Sequence, residues 1–211
     1  MIGEARDGRE WAFTLLELLT VIAIVAILAA ILIPSVNAAK VSANKARTRV
    51  QFSQWAAAIE SFRSEYGFYP SFHGSHLVNG GAAGAEHPFH DVVAGRRRDG
   101  SALADGSAAA VQNRKRISFY GFGESEFTDA ASATPNLLCD AFGNVEIAVL
   151  VDRNLDGVVN VDDYGGSLPI VRGMRPTTED FPATGLRVGV AFYAPAPRGS
   201  AEAPAFIFSW K

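Results

Sequence analysis

The chain has little sulfur and no large excess of charge. A single cysteine, Cys139, among 211 residues excludes an intramolecular disulfide and any metal cluster built from cysteines. Nineteen Lys and Arg stand against 22 Asp and Glu, for a formal net charge of −3. That balance lacks the electrostatic footprint of a general nucleic-acid binder, so nucleic acid is not an expected partner. Also missing are a Gly-x-Ser-x-Gly elbow, a His-Glu-x-x-His pair and a phosphate-cradling glycine loop, and Cys139 has no histidine near it in sequence. No catalytic constellation is legible, and the expectation is a structural protein rather than an enzyme. With 48% hydrophobic and 19% charged residues, the chain is too apolar to stay disordered.

The apolar residues are concentrated at one end. Residues 13–33, FTLLELLTVIAIVAILAAILI, contain one charge, Glu17. As a helix this run is about 31 Å long, close to the roughly 30 Å hydrocarbon thickness of a bilayer, and it is apolar on every side. It predicts a single membrane span. Residues 1–12 form a polar leader in which Arg6 and Arg9 are outnumbered by Glu4, Asp7 and Glu10. Val36-Asn37-Ala38 offers a second reading, a secretory signal cut after Ala38, but the leader lacks the positive charge such a signal carries. Glu17, five residues into the run, costs about 2.5–3.5 kcal/mol at mid-bilayer and less near the interface, so it asks for a cationic partner. Cutting between Ala12 and Phe13 would create an α-amino group four residues before Glu17, able to neutralise that carboxylate in a neighbouring chain and to set the register of an assembly.

The segment AFTLLELLTVIAIVAILAAILIP resembles the N-terminus of type IV pilins and type II secretion pseudopilins. The resemblance implies processing by a membrane prepilin peptidase, which cuts after Ala12 and methylates the new Phe13 amine. It implies an assembly role for Glu17, and for Pro34 as a helix-kinking proline. Two departures stand out: the family usually has Gly where this chain has Ala12, and a basic leader where this one is acidic. Lys40, Lys45, Arg47 and Arg49 beyond the span even oppose the positive-inside bias; the leader is placed inside and the body outside by resemblance.

After Pro34 the pattern becomes amphipathic without a turn signal, so the helix is expected to continue through residues 35–70. Phe52, Trp55, Ile59, Phe62 and Tyr66 follow one another at steps of 3, 4, 3 and 4 and form one stripe, which a sheet should cover. Gly67 suits a C-terminal cap and Pro70 opposes continuation. Pro34 frees the carbonyl of Ala30, predicting a kink or a locally melted turn. The ending IESFRSEYGFYPSF, with Tyr66, Gly67, Tyr69 and Pro70, is similar to the matching segment of the major pseudopilin.

Residues 71–136, rich in Gly, Ala and Ser, read as an irregular insertion with one or two short helices. They hold all four histidines, as His73-x-x-His76 and His87-x-x-His90. Two such pairs could ligate zinc, but the surrounding Gly74, Ser75 and Pro88 favour ordinary loop histidines. The basic clusters 96–98 and 114–116 read as solvated surface, because no phosphate loop follows either.

From residue 137 the chain turns strand-like, with candidate strands at 145–151, 186–194 and 205–210 that can form an antiparallel sheet. Asp140-Ala141-Phe142-Gly143-Asn144 is similar to the turn that enters the pseudopilin sheet. Next comes DRNLDGVVNVDD, residues 152–163. Asp152, Asn154 and Asp156 take positions 1, 3 and 5 of a calcium loop, and Gly157 takes the turn. The Val158 carbonyl, Asn160 and Asp163 complete the donor set. Residues 140–163 carry six acids against Arg153, a crowding that a structural calcium ion would relieve. The loop resembles those of dockerin modules, though only one copy is present.

The expected fold is therefore α+β and pilin-like, a long N-terminal helix packed on a small antiparallel sheet. The expected function is a pseudopilin of a type II secretion-type or type IV pilus-like filament. It would sit as a single-pass protein in the bacterial cytoplasmic membrane with its C-terminal domain on the periplasmic side. Its partners would be copies of itself, other pilin-like subunits, prepilin peptidase, the inner-membrane assembly platform and membrane lipid. The alternatives are a type IV pilus subunit and a membrane-anchored calcium-binding or adhesion module that does not polymerise.

Overall fold

The computed structural model describes residues 14–72, 74, 76–82, 86–129, 131–132, 135–197 and 206–211. Helix α1 (Leu15–Tyr66) is followed by the short helices α2 (Pro88–Ala94) and α3 (Ala108–Gln112) and by strands β1 (Ala148–Val151), β2 (Val190–Pro195) and β3 (Phe206–Phe208). The chain divides into two compact units, Met1–Ser42 and Ala43–Lys211.

Among the described residues of the first unit α1 is the one element. Every large aliphatic side chain from Leu15 to Val36 is 48–81% exposed, and this is the one stretch among the described residues long and apolar enough to cross a membrane. The helix is held at its start by a reciprocal capping box. The Thr14 amide and hydroxyl donate to Glu17 Oε2 at 2.9 and 2.8 Å, and the Glu17 amide donates to Thr14 Oγ1 at 3.2 Å. Helical structure runs unbroken through Pro34, so the expectation of a melted turn there is corrected. Every residue after Pro34 in that stretch keeps its own amide donor, and the single lost hydrogen bond does not end the helix.

In the second unit the aromatic stripe is covered from two sides. Phe52, Trp55 and Ile59 pack on Val149 and Val151 of β1 and on Val190, Phe192 and Ala194 of β2. The Phe52 and Phe192 rings stack at 5.5 Å, and Trp55 meets Phe192 edge-on at 5.8 Å. Phe62 instead joins Val92, Leu103 and Ala109 of the insertion, with Tyr66 against them. A sheet alone was expected over the whole stripe; three strands of three to six residues are too short to reach its end, and α2 and α3 finish the cover.

The sheet is antiparallel in the order β1-β2-β3, with Val149 opposite Phe192 and Tyr193 opposite Phe208. Its second face is buried as well. Ala148, Leu150, Ala191, Tyr193, Phe206 and Phe208 pack on Val159, Leu168, Val171 and Phe181 from the segment between β1 and β2. Residues 76–78 cover the outer edge of β1, with Val78 N donating to Ile147 O at 2.8 Å and Val149 N to His76 O at 2.9 Å.

Two residues from the end of α1 meet the sheet where β2 begins. Tyr69 donates its hydroxyl to both Glu60 carboxylate oxygens, at 2.9 and 3.0 Å; burial, and then Glu60 itself, push the phenol up to about 12. This pair lies directly on Gly189, where a Cβ would sit 1.8 Å from the Tyr69 hydroxyl oxygen and 2.2 Å from Glu60 Oε1. Gly189→Ala should therefore cost about 1–3 kcal/mol of stability. Gly121→Ala, where nothing lies within 4 Å of the added carbon, should cost far less. Thermal or denaturant unfolding of the two variants checks this, and equal stabilities would contradict the packing described.

Candidate functional site

Two regions carry the residues singled out from sequence. The first is the start of α1. Ala12 and Phe13 lie outside the described residues. Glu17 is not the isolated acid that its surroundings suggest, because its Oε2 is engaged by Thr14 in the capping box. Its other carboxylate oxygen accepts no hydrogen bond among the described residues, which leaves it open to an added donor. Sequence reasoning missed this box, although Thr-x-x-Glu before an apolar run is its signature. Pro34 sits inside the helix, and the neighbouring Ser35 hydroxyl donates to the Ile31 carbonyl at 3.1 Å.

The second is the loop after β1. Asp152 is 1% exposed and anchors the loop to the sheet, its amide donating to Gly189 O at 2.9 Å. Its carboxylate draws the following turn inward, accepting from Asp156 N at 3.2 Å and Gly157 N at 2.8 Å. Asn154 Oδ1 accepts from Asp156 N at 3.0 Å, and Asp156 Oδ1 accepts from Val158 N at 2.8 Å. Gly157 has φ +87°, a left-handed conformation that favours glycine. Leu155, at φ +63°, shares that region and is exposed. Further on, Asn160 Oδ1 accepts from the amides of Asp162 and Asp163 at 2.8 and 3.2 Å, and Asp163 Oδ2 accepts from Asn160 N at 3.0 Å.

The six sequence-predicted donors lie in two successive turns, one over 152–158 and one over 160–163. The side chains fold each turn on its own amides, and the amides saturate only part of each oxygen's accepting capacity. The donor set is all oxygen, from Asp, Asn and a carbonyl, which suits a hard cation such as calcium and not zinc. Among the described residues no group of three or more His, Cys, Asp or Glu side chains converges as a metal cluster. Two contacts fix the loop's far end: Arg153 donates to Asp163 O at 3.0 Å, and the Tyr164 hydroxyl donates to Val151 O at 2.8 Å. Burial pushes the Tyr164 phenol well above its ordinary value, so it stays a donor.

The histidines depart from the loop-surface expectation. His73 lies outside the described residues, and the His76 ring stands edge-on to Tyr164 at 4.8 Å. His87 and His90 are each 5% exposed and lie beside buried Asp91. Their burial was not legible because no apolar periodicity frames them. The tautomer of His87 follows from its partners. Asn79 donates to Leu138 O and Val145 O at 2.8 and 2.6 Å, so its Oδ1 is the acceptor facing His87 Nε2 at 2.7 Å. Nε2 therefore carries the proton, and the Nδ1 lone pair caps α2 by accepting from His90 N at 3.3 Å. His90 Nδ1 in turn lies 2.9 Å from Asp91 Oδ1, and Asp91 Oδ2 accepts from His87 N at 3.1 Å.

Most of the two basic clusters is paired. Arg97 reaches Glu86, Arg98 reaches Glu124 while lying over the Phe127 ring, Lys115 reaches Glu65 and Arg116 reaches Asp105. Nearby, Glu126 gathers donors from Trp55 Nε1 at 2.9 Å and Gln51 Nε2 at 3.3 Å and from the Tyr120 hydroxyl. No sequence pattern announced this junction.

Comparison with protein-family models, with curated proteins and with solved structures returns no match to this chain.

Burial, reinforced by the charges of His90 and Arg98 and opposed by Asp91, lowers His87 to about 4 from an ordinary 6.5. A depressed folded value means that the contribution is fully present above pH 6.5 and is lost as pH falls toward 4, by about 3 kcal/mol in total. His87→Asn, whose side-chain oxygen can still cap α2, should flatten that part of the stability profile. Urea unfolding across pH 4–7 reads it, and an unchanged slope in the variant would contradict the assignment.

Proposed function

We propose that this chain is a pilin-like subunit of a membrane-assembled filament, of the type II secretion pseudopilin kind. The observation that carries this reading is the start of α1. There a threonine-capped acid opens a helix whose first part exposes every large aliphatic side chain from Leu15 to Val36. Such a surface needs lipid before assembly and neighbouring helices after it. Prepilin peptidase would cut after Ala12 and methylate Phe13, and the amine of one subunit would meet the open Glu17 oxygen of the next. The second unit, an aromatic-striped helix against a small antiparallel sheet, suits the globular end of such a subunit. A type IV pilus subunit would share these features. The calcium-type loop favours one other reading, a membrane-anchored binding module that does not polymerise.

Calcium fits the loop as a structural ion. Asp152, Asn154, Asp156, the Val158 carbonyl, Asn160 and Asp163 would hold it, and its charge would offset the local excess of carboxylates.

Mass spectrometry of the protein purified from membranes should show loss of residues 1–12 and one added methyl group; a start at Ala39 would sink the reading. Glu17→Leu should stay in the membrane fraction and fail to enter filaments, whereas a non-polymerising module would behave identically with and without the acid. For the loop, calcium at about 100 times its Kd should raise the unfolding midpoint of the unsubstituted chain by roughly 5–10 °C. The rise should vanish in Asp156→Ala, and no response of the unsubstituted chain would remove calcium from the account.

A further inference from the structure

The basic residues of the second unit are of two kinds. Among the described residues Arg63, Arg97, Arg98, Lys115, Arg116 and Lys211 each reach a carboxylate, and Arg114, Arg153, Arg172 and Arg175 donate to carbonyl or amide oxygens. Lys45, Arg47 and Arg49 do neither: among the described residues their side chains make no hydrogen bond or ion pair. Arg96 and Arg187 share that state singly, but only here do three such cations fall within five residues. Arg47 and Arg49 are exposed and Lys45 is half-buried. The helix offers them no acid of its own, because α1 has none between Glu17 and Glu60. Lys45 and Arg49, four residues apart, share one side of the helix and repel one another unless an outside anion faces them, and Arg47 stands on the other side.

Resting on the membrane reading above, we infer that Lys45, Arg47 and Arg49 form a docking surface for anionic phospholipid headgroups. Lys45 and Arg49 follow the last residue of the apolar run, Ile33, by 12 and 16 positions, about 18 and 24 Å of helix. The headgroup zone adds about 5–8 Å to each side of the hydrocarbon, and an anionic surface attracts cations about one Debye length, roughly 8 Å, beyond it. Long basic side chains reaching back toward the interface, and the tilt usual for membrane helices, close the remaining distance. Each cation near such a surface strengthens binding several-fold. The subunit would thus be gripped by headgroups as well as by its apolar helix, through charges that the body leaves unspent.

The test uses the full chain in a neutral detergent, titrated with short-chain phosphatidylglycerol, with phosphatidylcholine and with glycerol phosphate, and read by native mass spectrometry. Phosphatidylglycerol should bind more tightly than phosphatidylcholine, and less so as salt rises. The triple variant Lys45→Gln, Arg47→Gln, Arg49→Gln should lose about 100-fold of that affinity, while Arg97→Gln with Arg116→Gln should lose little. Unchanged near-ultraviolet circular dichroism would show that the triple variant is folded. Equal binding of the two lipids, a preference that survives the triple substitution, or glycerol phosphate binding as tightly as the lipid would each overturn the inference. So would self-association that the triple variant abolishes while lipid preference is absent, which would make a second copy's acidic loop the occupant. Chain that leaves the membrane fraction on alkaline washing would instead refute the membrane reading itself.

Discussion

The controlling constraint is that one continuous helix must satisfy two different surroundings. Its first part presents large aliphatic side chains on all sides, each of them largely exposed among the described residues; its second part buries a single aromatic stripe. Water cannot solvate the first part at low cost, since each uncovered Leu, Ile or Val forgoes about 1.5–3 kcal/mol. The proposed membrane or filament setting would supply the apolar surroundings that this part calls for. The second part makes the opposite demand, an asymmetric surface that only one covering layer fits. Glu17, the one acid in the apolar run, sits at its start, where a capping box both stabilises the helix terminus and holds the carboxylate in place.

The body is built outward from that stripe. β1 and β2 present Val149, Val151, Val190 and Phe192 to it, and their opposite faces would be wet if the sheet had one covered side. Instead the segment that leaves β1 as the acid loop returns beneath the sheet, and Val159 pairs with Leu186 in both directions at 2.9 and 2.8 Å. The loop's geometry is thus tied to the packing of the sheet. Tyr164 is bonded to the backbone of β1, and Asp152 is bonded to Gly189 at the entry to β2. A cation in this loop would brace both strands at the place where Tyr69 and Glu60 from the end of α1 press on Gly189.

The helix was legible in the sequence because two simple signals, uniform apolarity and a 3.6-residue stripe, do not depend on distant contacts. Its end at Tyr66, with Gly67 at φ +79°, followed from glycine chemistry alone. The strands were located but overextended. Residues 145–151 read as an apolar strand and 186–194 alternate, yet Leu186 pairs with Val159 and Gly189 lies under a tyrosine, so the β1–β2 ladder runs only from Val151↔Val190 to Ala148↔Tyr193. What packs on the second face was not legible, because Ala191 and Tyr193 do not declare from sequence which layer covers them. The insertion was hardest to read. His87, His90, Asp91 and Asn113 look like surface residues, and they are buried because each finds polar partners: Asn113 in Val92 and Tyr66, His87 in Asn79, and His90 and Asp91 in each other and in His87. Asn113 joins Val92 O and Ile117 O through its amide while accepting from Tyr66 at 2.7 Å.

Those polar contacts explain how so irregular a stretch finishes the cover over α1. With only five and seven residues, α3 and α2 cannot hold themselves together by helix propensity. Asn113 links α3 to α2 and to Tyr66 of α1, and His87 and Asn79 link α2 to the segment that borders β1. Each contact needs its neighbours to exclude water, and the apolar packing around Phe62 and Phe89 needs those contacts to fix its register. The insertion is therefore specified by polar groups where the rest of the body is specified by apolar ones. Its order depends on His87 remaining neutral, since a second ring proton would face the His90 amide where a lone pair is required.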